Sequence, residues 1–207
     1  MINTTKNKCR LCRREGVKLF VKGDRCSTSK CPIERKGAVP PGMGGVRGTG
    51  RRLSEYGRQL REKQKAKRLY GVSERQFSRY FAEARKEKKA TGQALMQLLE
   101  TRLDNILFRL AFFPSRSAAR QIVSHGHVLV NGKRVDVPSY RFKEGQVVSL
   151  DGKAIKISSS LQKDEEKLLV PEWLARKGLA GKMKRLPERD EIEAAVDEQS
   201  IIEYYSR

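Results

Sequence analysis

No stretch of the sequence reaches the roughly 18 consecutive apolar residues needed to span a bilayer. The first residues, Met1 to Lys8, lack the apolar segment of a secretory signal. These two absences point away from membrane and export and toward the cytoplasm, where thiols stay reduced. Histidine is scarce: His125 and His127 are the only two, with no third nitrogen or carboxylate ligand nearby in sequence, which argues against a metal or acid–base site built on them. Acidic residues are also short in supply, at 24 against 45 Lys and Arg, for a formal net charge of +21. Such a charge repels itself in a compact chain unless a counter-charge is supplied. A polyanion is the natural supplier, because each phosphate met by Lys or Arg releases condensed counterions.

What is present is unevenly placed. The chain has 207 residues, enough for one or two domains of roughly 100–200 residues each. Residues 1–90 hold 26 basic and 8 acidic side chains, whereas residues 158–207 hold 9 and 11. The polyanion therefore belongs to the N-terminal half.

All four cysteines lie in the first 31 residues, as Cys9-x2-Cys12 and Cys26-x4-Cys31. Two short Cys loops of this kind supply four soft ligands to a tetrahedral Zn²⁺ without straining the backbone. Lys8, Arg10, Arg13 and Arg14 surround the first pair, and positive charge favours the thiolate that binds metal. The expectation is one structural zinc ion, with an iron–sulfur site or four unrelated thiols as the alternatives. The knuckle runs into a Gly- and Pro-rich stretch, Gly37 to Gly45, read as an extended arm.

Helical signals follow. Ser54 is an N-cap for a helix carrying to Tyr70, with Gly71 as its stop, and Ser73 with Gln76 forms a capping-box spacing for a helix to about Lys89. Phe77, Tyr80, Phe81 and Ala84 make the core face of the second helix. A third helical run begins near Thr91, breaks near Thr101 and ends at Pro114, and Ser115 caps a short helix through Ser124. Val128–Val130 and Lys133–Val135 flank Asn131-Gly132 as a hairpin, and Val147–Leu150 and Ala154–Ile157 repeat the pattern around Asp151-Gly152. After Ser158 a charged helix is expected to about Leu169, followed by Pro171-Glu-Trp173 and an acidic segment ending in Ile201 to Tyr205.

Arg58, Arg61, Lys65 and Arg68 form one helical stripe, flanked by Lys63 and Lys67, with Arg47, Arg51 and Arg52 upstream. Only Glu55 and Glu62 offset it within the helix, so an RNA backbone is the expected partner. Arg116, Arg120 and Asn131 mark a second surface, suited to shape recognition of helical RNA.

Residues 101–157, with Arg102-Leu-Asp104, Ser115-Arg116, Gly126 and Val130-Asn-Gly132, closely resemble the alpha-L RNA-binding module. The run Ser54 to Lys65, then Tyr70-Gly71 and Glu74-Arg-Gln-Phe77, joins Gly181-Lys-Met183, Pro187-Glu-Arg189 and Ile202 to Tyr205 in a wider likeness. Over nearly its whole length the chain resembles the bacterial small-subunit ribosomal protein four family, in the four-cysteine version that only some members have. The resemblance implies an α+β fold: a zinc knuckle and arm over 1–45, a helical domain over 46–100 completed by 163–207, and an inserted alpha-L module over 101–162. It adds Arg75 to the candidate RNA contacts. It further implies binding to the 5′ domain of 16S-type ribosomal RNA, nucleation of subunit assembly, contacts with the neighbouring third and fifth proteins, and an effect on decoding fidelity near the mRNA entry. Some members also bind messenger RNA.

Two rivals are weaker. A pseudouridine synthase would carry its catalytic Asp in an Arg-Leu-Asp motif, but Arg102-Leu-Asp104 opens the module and continues as a helix through Asn105 to Phe108. Asp104 is read instead as a helix residue that pairs with Arg102, with Arg109 or with a cap nearby. A zinc-finger DNA-binding regulator would need a base-reading helix and would leave the alpha-L module without a purpose. No enzymatic activity, membrane contact or small-molecule substrate is expected.

Overall fold

The computed structural model describes residues 7–42, 53–161, 170–192 and 196–206. Its helices are α1 (Cys9–Glu15), α2 (Pro32–Lys36), α3 (Glu55–Leu69), α4 (Glu74–Ala84), α5 (Thr91–Glu100), α6 (Leu103–Arg109), α7 (Arg116–Ser124), α8 (Gly152–Leu161) and α9 (Glu198–Tyr205). Its strands are β1 (Val128–Val130), β2 (Lys133–Arg134), β3 (Val147–Leu150), β4 (Leu174–Lys177) and β5 (Ala180–Met183). The chain divides into two units, Met1–Gly92 with Ala194–Arg207, and Gln93–Glu193. The segment 163–207, expected as one block completing the helical domain, is thus divided: β4 and β5 belong to the second unit and α9 to the first.

In the first unit the caps read from the sequence are formed. Ser54 Oγ accepts the Gly57 N–H at 3.2 Å, and Ser73 and Gln76 complete a capping box. Helix α4 stops at Ala84, short of Lys89, because Arg85–Lys89 offers no apolar side chain to extend the buried stripe of Phe77, Phe81 and Ala84. Helix α9 packs against α3. Tyr205 stacks on Phe81 at 4.4 Å between centroids, and Gln59 Nε2 donates to Glu203 Oε2 at 2.9 Å. Lys63 is 4% exposed, a depth at which a lysine needs a partner. Its ammonium donates to Glu74 Oε1 at 2.7 Å and lies 4.4 Å from the centre of the Tyr204 ring.

The second unit is built on a five-stranded antiparallel sheet in the order β2-β1-β3-β5-β4. Leu103, Ile106, Leu107, Ala119, Ile122, Val123, Val128, Val148, Trp173 and Met183 share one apolar core. Asn131 and Gly132 both take positive φ, 48° and 78°, as a type I′ hairpin turn demands. The second hairpin does not form. Asp151 Oδ1 accepts the Ala154 N–H at 2.8 Å, so the Asp-Gly pair starts α8 where the sequence suggested a strand over Ala154–Ile157. Strand β3 pairs instead with β5, where Gly181 stands so close to Leu110 that any Cβ would collide with it. Helix α6 ends at Arg109, before Pro114: Ala111 takes φ 54°, and Arg176 Nη1 donates to the carbonyls of Leu110 and Ala111 at 3.0 and 3.1 Å. The remainder of the charged helix expected to Leu169 falls on 162–169, outside the described residues.

Two buried carboxylates tie this unit together. Asp104 accepts from Arg102 Nε and Nη2 at 3.1 and 2.8 Å, and from Arg120 Nε and Nη2 at 2.8 and 2.5 Å. Glu100, fully buried, accepts from Arg109 Nε and Nη2 at 3.0 and 2.9 Å and from Asn105 Nδ2 at 2.6 Å. Asp104 thus pairs with Arg102, one of the two neighbours read from the sequence, while Arg109 serves Glu100.

Two outcomes follow. Asp104→Ala removes the carboxylate that the buried Arg102 guanidinium pairs with and should cost about 3–5 kcal/mol in urea unfolding, with Asp104→Asn less severe. For Glu74, burial raises the carboxyl pKa, but the hydrogen bonds and charges of Lys63 and Lys67 outweigh it and bring the pKa from 4.5 down to about 2. A folded pKa below the unfolded one stabilises above the unfolded value and is lost as pH falls through the folded one. Glu74→Gln should therefore lower the urea midpoint at neutral pH, and the gap to wild type should close as pH falls from about 4.5 toward about 2.

Candidate nucleic-acid interface

The α3 stripe is a set of cations, but most of them have work inside the protein. Lys63 is buried against Glu74 and Tyr204, so it is a packing residue and not an RNA contact. Lys67 donates to Glu74 Oε2 at 2.8 Å, and Lys65 donates to Glu62 at 2.6 and 2.8 Å. Arg61 and Arg68 both turn to Glu15, at the end of α1. Arg58 and Arg75 are exposed, which leaves them available to an outside anion. Arg47, Arg51 and Arg52 lie outside the described residues.

The second surface, in the other unit, is organised in the same way. Arg120 is anchored on Asp104 and keeps 24% of its side chain exposed. Arg116 Nε donates to Asn105 Oδ1 at 2.7 Å, and its guanidinium lies 4.3 Å from the centre of the Phe108 ring. Because Asn105 is itself held by Glu100, a buried acid orients Arg116 at one remove. Asn131 is exposed at the hairpin tip, yet its Oδ1 accepts the Val147 N–H at 2.8 Å and its own N–H donates to the Val147 carbonyl at 2.8 Å. It fixes the turn. Gly126 takes φ 72° with its carbonyl accepting from Arg134 Nε, which occupies the space any Cβ would need. His127 Nδ1 meets Asp151 Oδ2 at 2.8 Å, while His125 is exposed.

No disulfide joins the four cysteines, and Cys12, Cys26 and Cys31 are buried. Burial pushes the Cys12 and Cys26 thiols up, opposite to the shift expected from the surrounding arginines, although backbone N–H groups of Leu19 and Lys22 support the two sulfurs. Neighbouring cysteines raise both thiols further, Cys26, Cys9 and Cys31 acting on Cys12, and Cys31 and Cys9 on Cys26. Among the described residues no group of three or more His, Cys, Asp or Glu side chains is drawn into a metal-holding cluster. The donor set itself, four unpaired soft thiols of which three are buried, fits Zn²⁺.

Several exposed cations were not among the expected RNA contacts. Arg79, Arg85, Lys86 and Lys88 stand exposed on and just after α4, and Arg10 and Arg14 on α1. The signal was available for α4, since Arg75 and Arg79 fall opposite the apolar face of Phe77, Phe81 and Ala84.

Residues 3–100 match the family described as the ribosomal protein S4/S9 N-terminal domain, and residues 101–148 match the S4 domain. The chain is 55% identical over 202 residues to the small ribosomal subunit protein uS4 of Dictyoglomus turgidum, with 96% of each chain covered. It is 52% identical to the uS4 of Natranaerobius thermophilus and 48% identical to the uS4A of Clostridium botulinum, again with 96% of each chain covered. With both family matches in sequence and identity of this order over nearly the full length, the chain belongs to the ribosomal protein S4 family.

Proposed function

We propose that this protein is a structural, non-enzymatic component of the bacterial small ribosomal subunit that binds 16S-type ribosomal RNA in the cytoplasm. The observation that carries the reading is a common arrangement in both units. Arginines on helix surfaces are gripped from behind by shielded acids, Arg61 and Arg68 by Glu15 and Arg120 by Asp104, and each keeps about a quarter of its side chain exposed. Such groups present donors to phosphate in a fixed orientation. The names of the relatives support the assignment to the small subunit. In finer detail we assign the RNA site to the 5′ domain, where binding would nucleate assembly, and the protein neighbours to the third and fifth small-subunit proteins, where contact would influence decoding fidelity. These assignments rest on the family likeness.

Cys9, Cys12, Cys26 and Cys31 would hold one structural zinc ion. The metal would cross-link two short loops in a segment whose own buried apolar side chains are few. It would also convert the buried thiols to thiolates, offsetting the upward shift that burial imposes on Cys12 and Cys26.

Titration of the full-length protein against transcribed 5′-domain RNA at several salt concentrations should give much tighter binding than to an unrelated structured RNA of equal length. Equal affinity for both at moderate salt would contradict the ribosomal assignment. Arg58→Ala and Arg75→Ala should each weaken binding and reduce the salt slope by about one unit, because each removes one phosphate contact. Elemental analysis of the purified protein should find one zinc per chain, and a strong chelator should lower its melting temperature; a metal-free chain with unchanged melting would refute the zinc site.

A further inference from the structure

The carboxylate of Glu15 is fully shielded, with 0% side-chain exposure, yet it sits behind two of the arginines read as RNA ligands. Its Oε1 accepts from Arg61 Nη1 at 3.3 Å and also from Arg68 Nη1. Its Oε2 is buried and, among the described residues, accepts no hydrogen bond. Arg61 and Arg68 are seven residues apart, two turns along one face of α3, and keep 23% and 24% of their side chains exposed. Among the described residues Glu15 is the only acceptor of either side chain, so most of the five N–H donors of each guanidinium have no protein partner.

Two guanidiniums do not converge unaided. Burial lowers the pKa of Arg68 and Glu15 opposes that, while Arg61 and Arg14 push it down further. The carboxylate removes the repulsion locally and leaves the cluster with a net positive charge for a second anion. Glu15 is also the last residue of α1, where the helix dipole disfavours an acid, so the two arginines are what make its position tolerable.

We propose that Glu15 is a positioning residue for RNA binding: it holds Arg61 and Arg68 together as a two-armed seat for one phosphodiester of the RNA backbone. The proposal rests on the RNA-binding reading above. Fixing both long side chains in advance removes most of the rotamer freedom that binding would otherwise have to quench. The seat explains why a chain so short of acids buries one among its cations.

The test exploits a difference in sign. Charge counting alone says that removing an acid from a cationic face tightens RNA binding. Wild type, Glu15→Gln, Arg68→Ala and the double variant are titrated as full-length proteins against transcribed 5′-domain RNA at one moderate salt concentration, with thermal melting recorded for each. Glu15→Gln should weaken binding about tenfold despite its gain of positive charge, and should add nothing further in the Arg68→Ala background. Affinity equal to or tighter than wild type for a folded Glu15→Gln overturns the proposal, as does a full additional loss in the double variant. Should Glu15→Gln fail to fold, Arg68→Lys reads the same seat, because it keeps the charge and loses the fork; wild-type affinity there overturns the proposal. A wild-type protein that does not prefer this RNA to an unrelated one overturns the RNA reading itself, and the proposal with it.

Discussion

Compensation of like charge by a few shielded acids is the constraint on which the rest of this structure depends. With 45 Lys and Arg against 24 Asp and Glu, each carboxylate placed in the interior has several cations to answer. Glu15, Asp104 and Glu100, all shielded, each take two guanidiniums or a guanidinium with an amide, and Glu74, whose own side chain is 46% exposed, takes two ammonium groups, one of them the buried Lys63. Exposed ion pairs contribute little, but breaking a buried one by removing a single partner is costly. These few acids therefore fix helix positions as well as charge: Glu15 connects α1 to α3, Glu74 connects α4 to α3, and Asp104 connects α6 to α7.

The same pairings determine which cations are left for a polyanion. A stripe of arginines and lysines on α3 reads as one binding face, yet its members divide into three roles. Lys63 is core, Lys65 and Lys67 are paired at the surface, and Arg61 and Arg68 are anchored from behind while Arg58 remains exposed. The anchored arginines suit recognition of shape, because a fixed guanidinium selects a phosphate at a fixed place. Exposed arginines such as Arg58 and Arg75 suit a different part, affinity with little geometric demand. Folded RNAs differ in the placement of their phosphates, so a rigid cationic face discriminates among them by fit.

Much of the local structure was legible in the sequence wherever a backbone donor had a nearby side chain to meet it. The caps at Ser54, Ser73 and Ser115 are of this kind, and the Asn131-Gly132 turn was legible for a second reason, the positive φ that both residues tolerate. The reading failed where one dipeptide served two geometries. Asp151-Gly152 matched a hairpin turn, but the Asp151 side chain caps a helix, and the partner of β3 came from β5, some 30 residues later. The strands β4 and β5 were missed because Leu174–Lys177 and Ala180–Met183 are short and poor in β-branched residues; they are held by register with β3 and by the close approach of Gly181 to Leu110. For the candidate site, the sequence identified the cations and could not apportion them. That division depends on Glu15 and Glu74, which lie 46 and 11 residues from Arg61 and Lys63 and have no fixed spacing to announce them.

The most direct test of this account is the side-chain order of individual arginines in the free protein, measured by nuclear spin relaxation at Nε. Anchoring by shielded acids should give Arg61, Arg68 and Arg120 order parameters near those of rigid backbone, about 0.8, with Arg58 and Arg75 well below about 0.6. Uniformly low values for all five in the absence of RNA would show that the acids do not pre-set the cationic face, and would contradict the account at its centre.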